Sequence, residues 1–141
     1  MRIGEAAKKA GLGATAIRFY EKEGVVPIPG RTEAGYRDYT DADVSVLRFV
    51  RRARSLEIPL DDVREIVEMR TSGQVPCDVV RTVIAREAAA IDARIEELQM
   101  LRDELTQLNE IAQAVADIQP NTDCVCHIID DDVTEGATSD R

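Results

Sequence analysis

The chain contains no tryptophan, and aromatic residues make up only 4% of its 141 residues. Any core must therefore be mostly aliphatic, and the length suits one domain with a modest core or a small domain with an extension. No apolar run approaches the roughly 18 to 20 residues that a membrane span needs. The first residues lack the apolar segment of a signal peptide. These absences predict a cytoplasmic protein without a membrane partner.

Cysteine and histidine are also scarce, with three cysteines and one histidine. Because thiols stay reduced in the cytosol, these cysteines are better candidates for metal or redox chemistry than for structural disulfides. The sequence pairs no nucleophile with a base, and its one histidine lies in a polar terminal region. We therefore expect that the protein is not an enzyme.

The net charge of −9 is unevenly distributed along the chain. Residues 1–70 carry 13 Lys/Arg and 12 Asp/Glu, whereas residues 71–141 carry 5 and 15. The negative charge therefore belongs to the second half, and the first half can still present a local basic face to nucleic acid.

The first 70 residues have the pattern of a small helical domain with a wing. Apolar residues recur at helical spacing before Gly11, and a second helix is predicted from Ala14 to Lys22. Two short helices around a glycine turn suit a helix-turn-helix. The next stretch, VVPIPGRTEAGYRDYT, has the prolines and glycines of a loop and short hairpin, as in a winged helix.

Two further helices complete this segment. The sequence from Thr40 to Asp43 resembles a capping box, with Asp in place of the usual Glu or Gln, and opens a helix through about Leu56. Another helix is predicted from about Leu60 to Arg70, and TSGQVPC follows as a linker.

A long helix is predicted from Asp78 to about Ile118, where neither proline nor glycine occurs. Apolar residues recur there every seven positions, in the series Ile84, Ile91, Leu98, Leu105, Ala112 and the series Leu101, Leu108, Val115. A helix of roughly 40 residues is about 60 Å long. A chain this short cannot bury an apolar stripe of that length by itself. The stripe therefore needs a partner helix, most simply the same helix of a second copy of the chain.

The two remaining cysteines and the histidine lie within CVCH, at Cys124, Cys126 and His127, 47 residues after Cys77. Free cysteine is often a small buried hydrophobe, and Cys77 alone fits that description. A polar, acidic loop offers Cys124 and Cys126 little core to join. Thiolates with imidazole suit soft ions such as Zn(II), Cd(II), Hg(II), Pb(II) or Cu(I).

Geometry limits how Cys77 can join the other two cysteines. Cys77 stands at the start of the long helix and Cys124 follows its end, so within one chain about 60 Å separates them. If two such helices pair antiparallel, Cys77 of one subunit meets Cys124 and Cys126 of its partner. The dimer then holds two identical sites.

The stretch AIRFYEKEGVVPIPGRTEAGYRDYTDADVSVLRFVRRARSLEIPLDDVREI closely resembles the MerR family of bacterial transcription regulators. The family pattern I-R-[YF]-Y-E, G-[LV]-[LV], R…G-Y-R-x-Y and D…L-x-F-[IV] is present in order. The resemblance implies a mainly α fold with a winged helix-turn-helix over 1–70, a linker over 71–77 and an antiparallel coiled-coil dimerisation helix over 78–119. A metal-binding loop over 120–129 and an acidic, disordered tail over 130–141 follow.

The resemblance also implies a homodimer on double-stranded, palindromic promoter DNA. Such regulators untwist and bend a promoter whose elements are too far apart for RNA polymerase, which is control by DNA shape. By position, Thr15, Arg18 and Tyr20 face DNA, while the wing contributes Arg31, Tyr36 and Arg37. Arginine forks and tyrosine hydroxyls suit phosphate or guanine. Otherwise the arginines are solvated surface, and Tyr36 and Tyr39 are core residues.

Within the family, the cysteines resemble the branch that senses divalent heavy metals. A cysteine at the Cys77 position is typical of sensors of divalent ions, and Cys126 resembles the last loop cysteine. The chain departs from the branch because it has no cysteine near the end of the long helix, so Cys124 would substitute. Three thiolates suit one Hg(II), Cd(II) or Pb(II) per site, and His127 as a fourth ligand would suit Zn(II).

Two other functions compete with metal sensing. The thiols could serve a redox or electrophile sensor of the same family, although a disulfide within C-x-C closes a small strained ring. An iron–sulfur centre usually needs four cysteines, one more than the chain supplies. The third possibility is a metal-buffering or partner-binding coiled coil that does not bind DNA.

Overall fold

The computed structural model describes residues 1–117 and 125–130 and confirms the expected mainly helical fold. The chain divides into two compact units, residues 1–88 and 89–141. Its helices in the described ranges are α1 (Ile3–Ala10), α2 (Ala14–Lys22), α3 (Asp41–Ser55), α4 (Leu60–Thr71), α5 (Cys77–Ala114) and α6 (His127–Asp130). None of these helices is both long enough and apolar enough to cross a membrane.

The start of α3 confirms the predicted capping box. The Asp43 N–H donates to Thr40 Oγ1 at 3.1 Å, and the Thr40 N–H donates to Asp43 Oδ2 at 2.9 Å. The two residues thereby satisfy backbone donors that have no partner within the helix.

The core of the first unit is aliphatic, as the scarcity of aromatic residues predicts. Small alanines on the inner face of α1 allow α3 to approach closely, and Gly11 ends α1 with a φ of 74°. A Cβ at Gly11 would lie 3.1 Å from Arg51 Nε, so both conformation and space favour glycine there. The buried cluster contains Ala6, Ala7, Ala10, Ile17, Val25, Val26, Tyr39, Val44, Leu47, Val50, Ala53, Ile58, Val63, Val67 and Val83.

The expected wing is a loop with a single antiparallel bridge, between Arg31 and Arg37, where the sequence predicted a short hairpin. Gly35 turns the chain with a φ of 89°, and Arg31 Nη1 donates to the Gly35 carbonyl at 2.7 Å. The Thr32 N–H closes the tip by donating to the Tyr36 carbonyl at 2.7 Å. Pro27 and Pro29, shortly before Gly30, lack backbone donors, which limits the length of any ladder here.

Helix α5 begins at Cys77 and ends at Ala114, earlier than the predicted end near Ile118. Its last turn has no basic residue to interact with the helix dipole, and β-branched Val115 and acidic Asp117 follow. Near its start, the helix is attached to the first unit. Val83 is only 3% exposed, and Arg86 Nη2 pairs with Asp62 Oδ2 of α4 at 2.5 Å.

Most heptad positions of α5 in the second unit are exposed in the single chain, while Leu108 and Ala112 are partly buried. Side chains that would be buried in a dimer are about half accessible: Ile91 53%, Ile95 47%, Leu98 58%, Leu101 51% and Leu105 57%. An apolar stripe of this kind is what the heptad pattern predicts for one strand of a coiled coil.

The last described residues add two local details to the predicted C-terminal region. Residues from His127 to Asp130 form the short helix α6, where the sequence predicted loop up to 129. Asp130, the first residue of the predicted tail, is exposed and accepts the N–H groups of Val125 and Cys126 at 2.6 and 2.7 Å. A carboxylate at i+4 can thus close a turn, which composition alone does not reveal. The predicted tail after Asp130 lies outside the described residues.

Candidate nucleic-acid interface and metal ligands

The outward face of α2 contains two of the predicted DNA-contacting residues. Thr15, Arg18 and Lys22 succeed one another at spacings of three and four, which places them on one face of the helix. All three are exposed, whereas Ile17 on the opposite face is fully buried. The helix therefore presents two cations and a hydroxyl to the surroundings while its inner face anchors it to the core.

Tyr20 is placed differently from Thr15 and Arg18. It is partly buried and packs against the core, and its ring meets Phe19 edge-on at a centroid distance of 5.6 Å. Phe19 is the more exposed of the two, at 48%. The edge of α2 therefore carries an aromatic pair. Phe19 is exposed, and the Tyr20 ring packs partly into the core.

The wing brings further cations and an aromatic ring to the surface. Tyr36 is 51% exposed, so of the two wing tyrosines only Tyr39 matches the alternative that they are core residues. The Arg2 guanidinium lies 3.9 Å from the centre of the Tyr36 ring, a cation–π contact that adds a positive charge to the wing. Arg31 is exposed, and its hydrogen bond to Gly35 holds it against the wing tip.

A buried carboxylate connects α2 with the wing. The Tyr39 hydroxyl donates to Glu21 Oε2 at 2.6 Å, and Arg37 Nη1 lies 3.4 Å from Glu21 Oε1. Burial, this hydrogen bond and the Glu21 charge raise the pKa of Tyr39 well above its usual value. The phenol therefore remains a protonated donor, and the carboxylate is held between a hydroxyl and a guanidinium.

Several of these surface and buried residues were not predicted. Lys22 and Phe19 could have been found from the helical wheel once Ile17 was assigned to the core. Arg2 has no sequence signal, because its stacking on Tyr36 depends on the path of the wing. Glu21 has no sequence signal either, because its ion pair with Arg37, 16 positions later, depends on how the wing folds over α2.

Two of the four predicted metal ligands are exposed free thiols. Cys77 is the first residue of α5, and Cys126 directly precedes α6, where Asp130 fixes its backbone N–H. His127 is half-buried, and its Nε2 is a buried nitrogen without a hydrogen-bond partner in the described ranges. Cys124 lies outside the described residues.

These donors have the right chemistry for a soft ion, but the described residues do not assemble them into a site. Exposed thiols can lose a proton and then bind a metal ion as thiolates. An imidazole nitrogen without a hydrogen-bond partner can also bind a metal ion. Among residues 1–117 and 125–130, no three His, Cys, Asp or Glu side chains form a group that could hold a metal. The donor set fits a soft metal only if further ligands are added to Cys126, from Cys124 or from another chain.

Comparisons with known proteins match this architecture. The family profile described as "MerR HTH family regulatory protein" matches residues 1–70, and the profile "MerR, DNA binding" matches residues 44–108. The regulator ZntR of Escherichia coli K12 is 36% identical over 110 residues, which cover 77% of this chain and 78% of ZntR. The chain belongs to the MerR family. The resemblance deduced from the sequence is thereby confirmed, and this MerR-family chain is a transcriptional regulator and not an enzyme.

Solved MerR-family structures share the fold. The regulator PbrR691 from Ralstonia metallidurans CH34, crystallised in complex with lead(II), is 31% identical with a TM-score of 0.72, and the match covers 93% of this chain and 98% of PbrR691. HiNmlR, a MerR family regulator lacking the sensor domain and bound to promoter DNA, is 27% identical with a TM-score of 0.55. That match covers 80% of this chain and 86% of HiNmlR.

Proposed function

We propose that this MerR-family protein is a cytoplasmic regulator that binds a palindromic promoter as a homodimer and activates transcription when it binds a divalent soft metal. The observation that carries the proposal is the pair of exposed thiols at Cys77 and Cys126. They occur in a chain similar over nearly its whole length to a regulator crystallised with lead(II). The candidate effectors are Hg(II), Cd(II), Pb(II) and Zn(II).

The DNA contacts are proposed for α2 and the wing. Thr15 and Arg18 have the exposure that direct contact requires, and the partly buried Tyr20 is proposed as a third contact from α2. The wing contributes Arg31, Tyr36 and Arg37. The likeness to a family member bound to promoter DNA supports this use of the fold.

Dimerisation is proposed through the exposed stripe of α5. Burying half-exposed leucine and isoleucine side chains against a second copy is favourable by the usual apolar term. With an antiparallel arrangement, the start of one α5 lies beside the end of the other. The family resemblance implies that orientation. It is also the orientation that would bring Cys77 of one subunit beside Cys124 and Cys126 of the other.

The metal site is proposed to combine Cys77 of one subunit with Cys124 and Cys126 of the other. Helix α5 is continuous over 38 residues, and a helix of that length is about 57 Å long. A metal–sulfur bond is only about 2.3 Å long, so thiols beyond opposite ends of one such helix cannot share an ion. We propose one ion per site and two sites per dimer, with His127 as a candidate fourth ligand.

The signal is proposed to pass from the metal through the start of α5 to the DNA-binding unit. Cys77 opens the helix, and Val83 and Arg86 attach the same helix to the first unit. Ordering the C-terminal segment around the ion would favour one angle between the two DNA-binding units of the dimer. A changed angle alters the twist of the promoter and its fit to RNA polymerase.

The test is single replacement of Cys77, Cys124 and Cys126 by serine, followed by in vitro transcription from the protein's own upstream promoter with and without lead(II). Each replacement is expected to abolish induction while the protein still retards promoter DNA. Induction retained in Cys77→Ser would contradict a site shared between subunits.

A thiol-based redox or electrophile sensor is the second candidate, favoured by the exposure of the same two thiols. Oxidant or electrophile, with metal removed by a chelator, would then induce transcription. Induction by lead(II) under reducing conditions, with no response to oxidant, would exclude this candidate.

A further inference from the structure

Glu21 is a charged side chain in an apolar setting. It lies on the inner side of α2, three residues after Arg18, and its side chain is only 2% exposed. A buried carboxylate is costly unless it is paired, because it loses the hydration that it has in water. Its position therefore needs a partner that holds it, and the wing supplies two.

The two wing partners hold the carboxylate in different ways. Tyr39 makes a short, directed hydrogen bond to Oε2. Arg37 pairs with Oε1 at 3.4 Å without hydrogen-bond geometry, so charge and not a directed bond holds it there. The Arg37 side chain is 30% exposed, which leaves part of the guanidinium accessible from outside.

We propose that Glu21 is a positioning residue for DNA binding that fixes the Arg37 guanidinium so that its exposed edge is ready for a backbone phosphate. This inference rests on the proposed function, since it assumes that α2 and the wing contact DNA. A guanidinium has five N–H donors in a planar fork, so one edge can face a carboxylate while the other faces a phosphate. Holding the side chain beforehand lowers the conformational entropy lost on binding.

The same carboxylate also connects the two DNA-facing elements. Glu21 lies on α2, the helix that carries Arg18, and it pairs with Arg37 of the wing. Glu21 thereby ties the wing arginine to the helix that carries Arg18. Arg37 would contact a backbone phosphate and not a base edge. The loss of affinity on replacing Glu21 should therefore be similar for DNA fragments of different sequence.

The test compares Glu21→Gln, Arg37→Met and the double variant in binding to the DNA fragment upstream of the protein's own gene, over a series of salt concentrations. Glutamine keeps the shape and an acceptor for Tyr39 but removes the charge that holds Arg37. We expect Glu21→Gln to bind roughly 10-fold more weakly, as for loss of one charge-assisted contact. Its salt slope should become less negative by about 0.9, as in Arg37→Met, because one phosphate contact is lost.

The sign of the effect separates positioning from general electrostatics. Removing a negative charge from a DNA-binding protein ordinarily strengthens binding. Glu23→Gln removes an exposed carboxylate two residues away and serves as the matched control, expected to bind at least as tightly as the wild type. The double variant should bind no more weakly than Arg37→Met, because Glu21 acts through Arg37.

Several results would overturn the inference. Glu21→Gln binding as tightly as Glu23→Gln, or a loss that adds to that of Arg37→Met, would show that Glu21 does not act through Arg37. If Glu21→Gln does not fold, Tyr39→Phe provides the test, since it removes only the hydrogen bond that aims the carboxylate. Unchanged affinity and salt slope in Tyr39→Phe would contradict the inference. A wild-type protein that does not retard the fragment would refute the proposed function itself.

Discussion

Replacing one residue of the apolar stripe on α5 should weaken the proposed dimer by an amount that the exposed area predicts. Leu98 is 58% exposed in the single chain and occupies one of the two heptad series. Full burial of a leucine side chain contributes about 1.5–3 kcal/mol relative to exposure. Somewhat more than half of that gain therefore remains to be realised when a second helix covers Leu98.

Because the proposed dimer would contain Leu98 twice, Leu98→Ala affects two positions. Removing about half of the leucine burial at each costs roughly 1.5–3 kcal/mol of association free energy. A factor of ten in the dissociation constant corresponds to about 1.4 kcal/mol, so dimerisation should weaken about 10- to 150-fold. The first unit should stay folded, because its buried core does not include Leu98.

Sedimentation equilibrium over a concentration series measures this constant directly. Met100→Ala is the matched control, because Met100 is 72% exposed on the same helix but lies outside both heptad series. Its dissociation constant should equal that of the wild type. An unchanged constant for Leu98→Ala, or an equal weakening by Met100→Ala, would contradict dimerisation through the stripe.

Three other predictions follow from the structure. Thr40→Ala removes the capping box of α3 and should lower the free energy of unfolding by about 1 kcal/mol in urea titrations, whereas an unchanged midpoint would show that the cap contributes nothing. Arg18→Ala should weaken binding to upstream DNA and make the salt slope less negative by about 0.9 if Arg18 contacts a phosphate, and an unchanged slope would exclude that contact. Affinity for lead(II) should fall as the pH is lowered, because binding must displace thiol protons, and a pH-independent affinity in competition titrations would argue against thiolate ligands.

The sequence predicted most of the first unit because local signals there agree with the packing. Thr40 and Asp43 make the expected capping box, and α2 has the predicted bounds of Ala14 and Lys22. Where a structural element is determined by one helix face or one turn, the local residues are sufficient to predict it. The heptad pattern of α5 is also set by one helix face, so the sequence predicted that helix as well.

The differences arise where contacts join residues that are distant in sequence, or where the end of an element depends on weak terms. The wing has one bridge where a hairpin was expected, and α5 ends at Ala114 because no capping or basic residue extends it. The pairing of Glu21 with Arg37 depends on the fold of the wing over α2. Sequence periodicity contains no information about such a contact.

Mixing subunits tests the shared metal site most directly. Cys77→Ser and Cys126→Ser homodimers each lack one thiolate in both sites, whereas a heterodimer of the two variants, purified through two different tags, would keep one site complete. Native mass spectrometry with lead(II) should then show one tightly bound ion in the heterodimer and none in either homodimer. A heterodimer that binds no more lead(II) than the homodimers would contradict a site built from Cys77 of one subunit and Cys126 of the other.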